Sequence, residues 1–253
     1  MIVIAVVSMK GGVGKTSSTA NLAAALAAQL GEGRVAVLDL DPQNSLYLHF
    51  GLGPSLKQGV ARQSLDDANW NETAFQSKFG VVCMPYGDVS EPERKDFEAI
   101  LADKPDWIWS QLMRAGCEQL EVVFIDTPPG PSVYLRHAFA CADLALLVLL
   151  ADAGSYATIP AMESWVEEST AFRPELATVY VLNQVDSTSA LNHDVGEVLR
   201  RRLHSRIAPI GIHRDEAVSE ALAFQQPVVI YDPHSQAALD TQRLAWWLME
   251  SIQ

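Results

Sequence analysis

Seven short apolar runs punctuate the chain, at residues 2–7, 35–38, 81–84, 122–125, 144–150, 179–182 and 228–230. They are rich in Val, Ile and Leu and are apolar almost without a break instead of alternating, so each predicts a strand covered on both faces. A mostly parallel central sheet with helices on either side requires that pattern. After the first run, Leu22, Leu26 and Leu30 fall at i, i+4 and i+8 with alanines between them, which predicts a helix with one apolar stripe. Residues 51–80 and 87–106 are more polar and carry Gly, Pro, Asp and Glu clusters, so they predict loops and peripheral helices inserted on this scaffold. The sequence has no internal repeat and no low-complexity tract.

Composition adds limits to this picture. At 253 residues and 49% hydrophobic, the sequence suits a single α/β domain over 1–253. A net charge of −13 works against non-specific attraction to DNA or to an anionic membrane. Cys83, Cys117 and Cys141 are widely spaced and form no C-x-x-C pair, so neither a disulfide framework nor a zinc or iron-sulfur site is signalled, and a reducing cytoplasm is expected. The apolar start runs straight into a Gly-rich loop, which predicts a strand and not a signal peptide. A membrane-spanning helix is not expected either, because no stretch of about 18 apolar residues occurs.

The chemistry begins at residues 8–16, Ser-Met-Lys-Gly-Gly-Val-Gly-Lys-Thr, which follow a predicted strand and open a predicted helix. In that setting successive backbone N–H groups and a helix N-terminus converge on phosphate oxygens. Gly11, Gly12, Val13, Gly14, Lys15, Thr16 and Ser17 are the candidate cradle. Lys15 reaches the β- and γ-phosphates, and the Thr16 hydroxyl is placed for Mg²⁺. The strict phosphate-loop pattern asks for glycine at position 9, where this chain has Met9, and the compensating feature is a second lysine, Lys10. Asp39 and Asp41 lie at the end of the second run, at the sheet edge where ligands of open α/β proteins bind. Asp39 suits a water of Mg²⁺, with capping of the next helix as the competing role for both. Asp126 ends the fourth run before Thr-Pro-Pro-Gly, and beside a phosphate loop a strand-end aspartate suits the metal. Asn183 ends the sixth run with a side-chain amide able to donate and accept toward an adenine edge.

The run from Lys10 to Thr16 resembles the deviant Walker A loop of the MinD/ParA superfamily of P-loop ATPases. The resemblance implies a three-layer P-loop NTPase fold with ATP and Mg²⁺ as cofactors. Lys10 then reaches across to the phosphates of a facing subunit, so ATP bridges a homodimer. Asp41 orients or activates the attacking water, and Asp126 binds Mg²⁺ through water within a Walker B strand. Lys10, Lys15 and Asp41 are thus the catalytic candidates, and slow hydrolysis to ADP and phosphate is expected. The family places an asparagine at the position of Asn183. Residues 212–217 and 226–233 are similar to the carboxyl half of ParA-type domains, so the resemblance covers nearly the whole chain. One departure is His213, where partition ATPases commonly have proline in the loop that lines the adenine. An adenine contact and a solvated loop histidine are both open for it.

Three features narrow the membership. Residues 239–253 carry Arg243, Trp246, Trp247 and Leu248 without a Lys/Arg-rich amphipathic tail, so direct membrane binding lacks its basis and the tryptophans are expected to pack on the sheet. Arg200, Arg201, Arg202 and Arg206 form a basic cluster on a predicted helix, expected to be a solvated face or a protein contact before a DNA contact. Residues 57–70 and 212–222 resemble the BcsQ type of ATPase from cellulose-synthesis operons. That resemblance implies a cytoplasmic accessory protein that supports assembly or polar placement of the inner-membrane cellulose synthase, together with small partner proteins of the same system. The alternative is a ParA-type partition ATPase that binds DNA; an electron-transfer iron-sulfur ATPase is disfavoured by the cysteine placement.

Overall fold

The computed structural model describes residues 1–53, 57–170 and 174–252. Parts of two segments read from the sequence, residues 54–56 of 51–80 and Gln253 of 239–253, lie outside the described residues. In chain order the elements are β1 (Ile2–Val7), α1 (Lys15–Leu30), β2 (Val35–Asp39), α2 (Val60–Leu65), β3 (Phe75–Gln76), β4 (Val81–Met84), α3 (Glu91–Asp103), α4 (Trp107–Arg114), β5 (Val122–Asp126), α5 (Val133–Cys141), β6 (Leu144–Leu150), α6 (Ala153–Thr170), β7 (Ala177–Asn183), α7 (Ala190–Leu203), α8 (Glu216–Ala223), α9 (Val228–Tyr231) and α10 (Gln236–Ile252).

The strands form one seven-stranded sheet in the order β3-β4-β2-β5-β1-β6-β7. All pairings are parallel except β3 with β4. Successive side chains of a strand point to opposite faces, and both faces are buried. Val3, Ala5 and Val7 join a core with residues of α2 to α7, whereas Ile4 and Val6 join a second core with α1, α8, α9 and α10. This makes three layers, as the unbroken apolarity of the strands requires. Leu22 and Leu26 of the α1 stripe are fully buried in the second core.

Six of the seven apolar runs are strands, and the seventh is not. Residues 228–230 lie in α9, where Pro227 is the N-cap and Val228 N–H donates to Asn21 Oδ1 at 2.8 Å. The strand expectation fails because a short buried run packs equally well as a helical turn. The outer edge of β7 is moreover already met by Ile207, which bridges Tyr180. Conversely, the two-residue β3 is too short to leave a periodic signal. The tryptophan expectation also needs correcting. Trp247 packs part-buried against the second core, but Trp246 is 57% exposed and its Nε1 donates to Glu250. The buried stripe of α10 runs through Thr241, Leu244, Ala245 and Leu248, which turns Trp246 outward.

Candidate functional site

β1 stops at Val7, and the chain turns through residues 8–14 before α1 begins. Gly14 is the N-cap of α1 in a left-handed conformation, φ 82°, and no side chain caps the helix. The leading N–H groups of α1 are therefore left for an outside acceptor, with the positive end of the helix dipole behind them. Glycine is needed here twice over, since a Cβ on Gly14 would also lie 2.4 Å from Asn183 Nδ2. The loop borders a cleft of about 290 Å³ lined by Ser8, residues 10–17, Asp41, Gln43 and Pro129. Every predicted loop residue from Lys10 to Ser17 thus shares one cleft with Asp41. A larger cavity, about 660 Å³, sits among α3, α5 and α6 and contains none of these residues.

Beneath the loop, the ends of β2 and β5 are in register, so Asp39 and Asp126 stand side by side, both fully buried. Asp39 accepts from the Asp41 N–H at 2.9 Å and the Leu46 N–H at 3.1 Å. Asp126 takes three donors: Thr16 Oγ1 at 2.6 Å, Thr19 Oγ1 at 3.2 Å and Lys15 Nζ at 3.3 Å. Burial pushes the Asp39 carboxyl well above its usual range, and the charge of Asp126 pushes it further. Burial raises Asp126 as well, against the pull of Lys15 and Thr16. Two adjacent buried carboxylates, of which Asp126 is paired with Lys15, leave a shortage of positive charge that a divalent ion would relieve. Among the described residues no group of three or more His, Cys, Asp or Glu side chains forms a metal cage. The donor set of one hydroxyl and neighbouring carboxylates suits Mg²⁺, which keeps waters and draws its other ligands from phosphates.

Lys10 is placed by a residue the motif reading did not single out. Its Nζ lies 2.6 Å from Asp152 Oδ2, while Asp152 Oδ1 accepts the Ser155 N–H at 2.7 Å at the start of α6. Desolvation works to raise Asp152, but hydrogen bonds from Lys10 and Ser155 outweigh it and hold the carboxyl below its usual range. Asp152 lies just past the apolar run of β6, so the strand-end rule that selected Asp39 and Asp126 would have found it. Gln43 in the cleft wall and Thr19 on Asp126 were missed as well, and neither has a local motif. Asn183 Nδ2 donates to the Val13 carbonyl at 2.7 Å, bracing the loop and leaving its oxygen for a base N–H. His213 lies outside the cleft lining, beside Val185 just beyond β7, with Nδ1 2.7 Å from Asp240 Oδ2.

The chain resembles known proteins in sequence and in fold. The chain is 29% identical over 252 residues to the cellulose biosynthesis protein BcsQ of Escherichia coli strain K12, covering 98% of this chain and 94% of that one. Its fold is similar to that of cobyrinic acid a,c-diamide synthase from Mycobacterium smegmatis with bound ATP analog and magnesium, at a TM-score of 0.81 and 23% identity, covering 99% and 94%. It is similar too to the septum site-determining protein MinD of Pyrococcus horikoshii complexed with Mg-ADP, at a TM-score of 0.78 and 22% identity, covering 98% and 95%. A family model described as cellulose biosynthesis protein BcsQ matches residues 1–249, so this chain belongs to the BcsQ family.

Proposed function

We propose that the chain is an ATP-dependent switch in which two copies bridged by nucleotide support the assembly or placement of the bacterial cellulose synthase. The observation that carries this reading is the presence of two lysines with different settings in one loop. The Lys15 side chain is 6% exposed and turned to Asp126, as suits a cation serving its own protomer. The Lys10 side chain is 40% exposed at the lip of the same cleft, where a facing copy can receive it.

Thr16 and Asp126, with Asp39 behind them, would hold Mg²⁺. Bound Mg·ATP supplies the γ-phosphoryl group for transfer to water. Lys15 neutralises the β- and γ-phosphates from within, and Lys10 does so from the facing copy. Asp41 in the cleft wall orients the attacking water, while Asn183 and His213 lie toward the base. Positioning and charge neutralisation carry such a reaction, and turnover is slow.

In this role the chain is cytoplasmic and is brought to the inner membrane or cell pole by small accessory proteins of the cellulose system. Its three cysteines, Cys83, Cys117 and Cys141, are buried, which fits thiols in a reducing compartment. Among the described residues no helix is long and apolar enough to cross a membrane. A DNA-binding partition role has weaker support. Arg202 and Arg206 share Glu163, both at 2.7 Å, and Arg200 pairs with Glu197 at 3.1 Å, so two carboxylates offset about half of the cluster's charge.

Light scattering of the full chain with and without Mg·ATP tests the switch: a change from monomer to dimer is expected, and a mass indifferent to nucleotide would refute it. DNA retention that needs ATP and fades with salt would move the reading to partition. Cellulose output restored to a deletion strain by the wild type but not by Lys15→Ala would support the cellular setting.

A further inference from the structure

The cavity of about 660 Å³ among α3, α5 and α6 lies at the opposite edge of the sheet from the phosphate loop. The loop follows the carboxyl end of β1, whereas α5 and α6 lead back to the amino ends of β6 and β7. The cavity is walled by the closing turns of its three helices: Leu101 and Ala102 on α3, His137 on α5, Trp165 and Glu168 on α6. Its volume falls within the range of small-molecule pockets, about 300–1,000 Å³.

The lining joins an apolar wall to an excess of negative charge. Leu101 and His137 are buried and Trp165 is part-buried, which gives the wall its apolar and aromatic faces. At the rim Glu168 and Glu175 are exposed, against one cation, Arg136. None of these three is held in an ion pair among the described residues. The helices add charge of the same sign, since each carboxyl terminus acts as about half a negative charge. None of α3, α5 and α6 has a basic residue in its last turn to offset it. Lys104, the C-cap of α3, is instead turned over the Trp107 ring at 4.4 Å. His137 supplies one neutral polar group. Its Nε2 lies 2.7 Å from the Leu101 carbonyl, which can only accept, so the ring proton is on Nε2. Burial holds the ring below its ordinary pKa, and Nδ1 is left as a buried acceptor with no partner among the described residues.

We propose that this cavity binds a small amphipathic cation, an apolar or aromatic body that carries an amine. The body lies against Leu101 and Trp165, where burial of its apolar surface supplies most of the affinity. The ammonium stays at the rim, where Glu168, Glu175 and the helix ends outweigh Arg136 and the Trp165 face attracts a cation. An N–H on the body has its acceptor in His137. This site is independent of the nucleotide reading, because no residue is shared between the two.

Tryptamine is a suitable probe, with an aromatic body, one N–H and one ammonium. It would be titrated into the full chain and followed by saturation-transfer NMR on the ligand. A dissociation constant on the order of 1 mM or tighter is expected. Indole-3-propionate, with the same body and a negative head, should bind at least about fivefold more weakly. Glu168→Gln with Glu175→Gln should weaken tryptamine by about five- to tenfold. Ala102→Trp places an indole in the cavity from an exposed position, and it should abolish binding with the melting temperature little changed. If that variant loses stability, the two glutamine substitutions, both at exposed positions, decide alone. Tryptamine that fails to bind, or indole-3-propionate that binds as well, overturns the proposal. So does unchanged tryptamine affinity in the double glutamine variant or in a stable Ala102→Trp chain, which would put the amine on the acidic surface at large.

Discussion

Lys10 Nζ is 2.6 Å from Asp152 Oδ2, so the lysine at the lip of the cleft is held by its own protomer. Both side chains are more than a third exposed, at 40% and 38%, and a pair so open to water stabilises by at most about 1 kcal/mol. Such a latch is weak enough for a facing phosphate to displace. Lys10→Ala should bind ATP within the protomer and remain monomeric by light scattering; an ATP-induced dimer of that variant would sink the bridging role. Asp152→Asn preserves an oxygen to accept the Ser155 N–H but removes the charge. It should dimerise at an ATP concentration lower by about two- to fivefold. Dimerisation at the wild-type concentration would mean that the pair is no latch.

The burial of Asp39 beside Asp126 predicts a trade of stability for ligand binding. Burial and mutual repulsion raise both carboxyls, so the ligand-free site is under electrostatic strain that one lysine only partly relieves. Mg·ATP at about a hundredfold excess over its dissociation constant adds about 2.7 kcal/mol. For a chain of this size that raises the melting temperature by roughly 5–10 °C. Asp126→Asn should be at least as stable as the wild type without ligand, yet gain little from Mg²⁺ beyond the nucleotide alone. A full magnesium-dependent shift in that variant, read by thermal unfolding, would remove Asp126 from the metal site.

The architecture was legible where one physical rule acted alone. The interior strands were readable because cover on both faces forces unbroken apolarity, as in Val122–Asp126. The loop was readable because phosphate binding needs glycines and a lysine at fixed spacing. Legibility failed where tertiary context decided. Val228 and Val229 are as apolar as any strand, yet with the edge of β7 already met by Ile207 they pack as a helical turn against α1 and α10. Asp152 was invisible as a partner of Lys10 because the two are 142 residues apart and no motif links them. The Asp240–His213 contact was hidden for the same reason: nothing in the local sequence of α10 marks Asp240 as facing the loop.

Gly14 provides a stability test of the loop that does not depend on ligand. Alanine there must hold φ near 82° and place a Cβ 2.4 Å from the Asn183 amide, which is itself bonded to Val13. Backbone strain and the displaced hydrogen bond together should cost about 2–3 kcal/mol. Gly11→Ala is a fair control, since its nearest non-local atom would be Pro129 Cγ at 4.0 Å. Chemical unfolding that finds the two variants equally stable would contradict the close contact between Asn183 and the loop.

His49 should make stability fall on mild acidification. It lies in the short 3-10 turn Leu46–Phe50, is 4% exposed, and burial lowers its pKa from 6.5 to about 4. Above pH 6.5 the ring is neutral in both states and the effect vanishes. Between pH 6.5 and 4 the unfolded chain takes up a proton that the folded chain refuses, so stability declines as pH falls through that window. The loss from this residue is about 2 kcal/mol between pH 7 and pH 5. Asp39 acts with the opposite sign, because its raised carboxyl is protonated more readily in the folded state. The contribution of His49 must therefore be read as the difference between the wild type and His49→Leu, which shares every other titrating group. Denaturant unfolding at the two pH values should show the wild type losing about 2 kcal/mol more than His49→Leu; equal losses would mean that His49 is protonated in the folded protein.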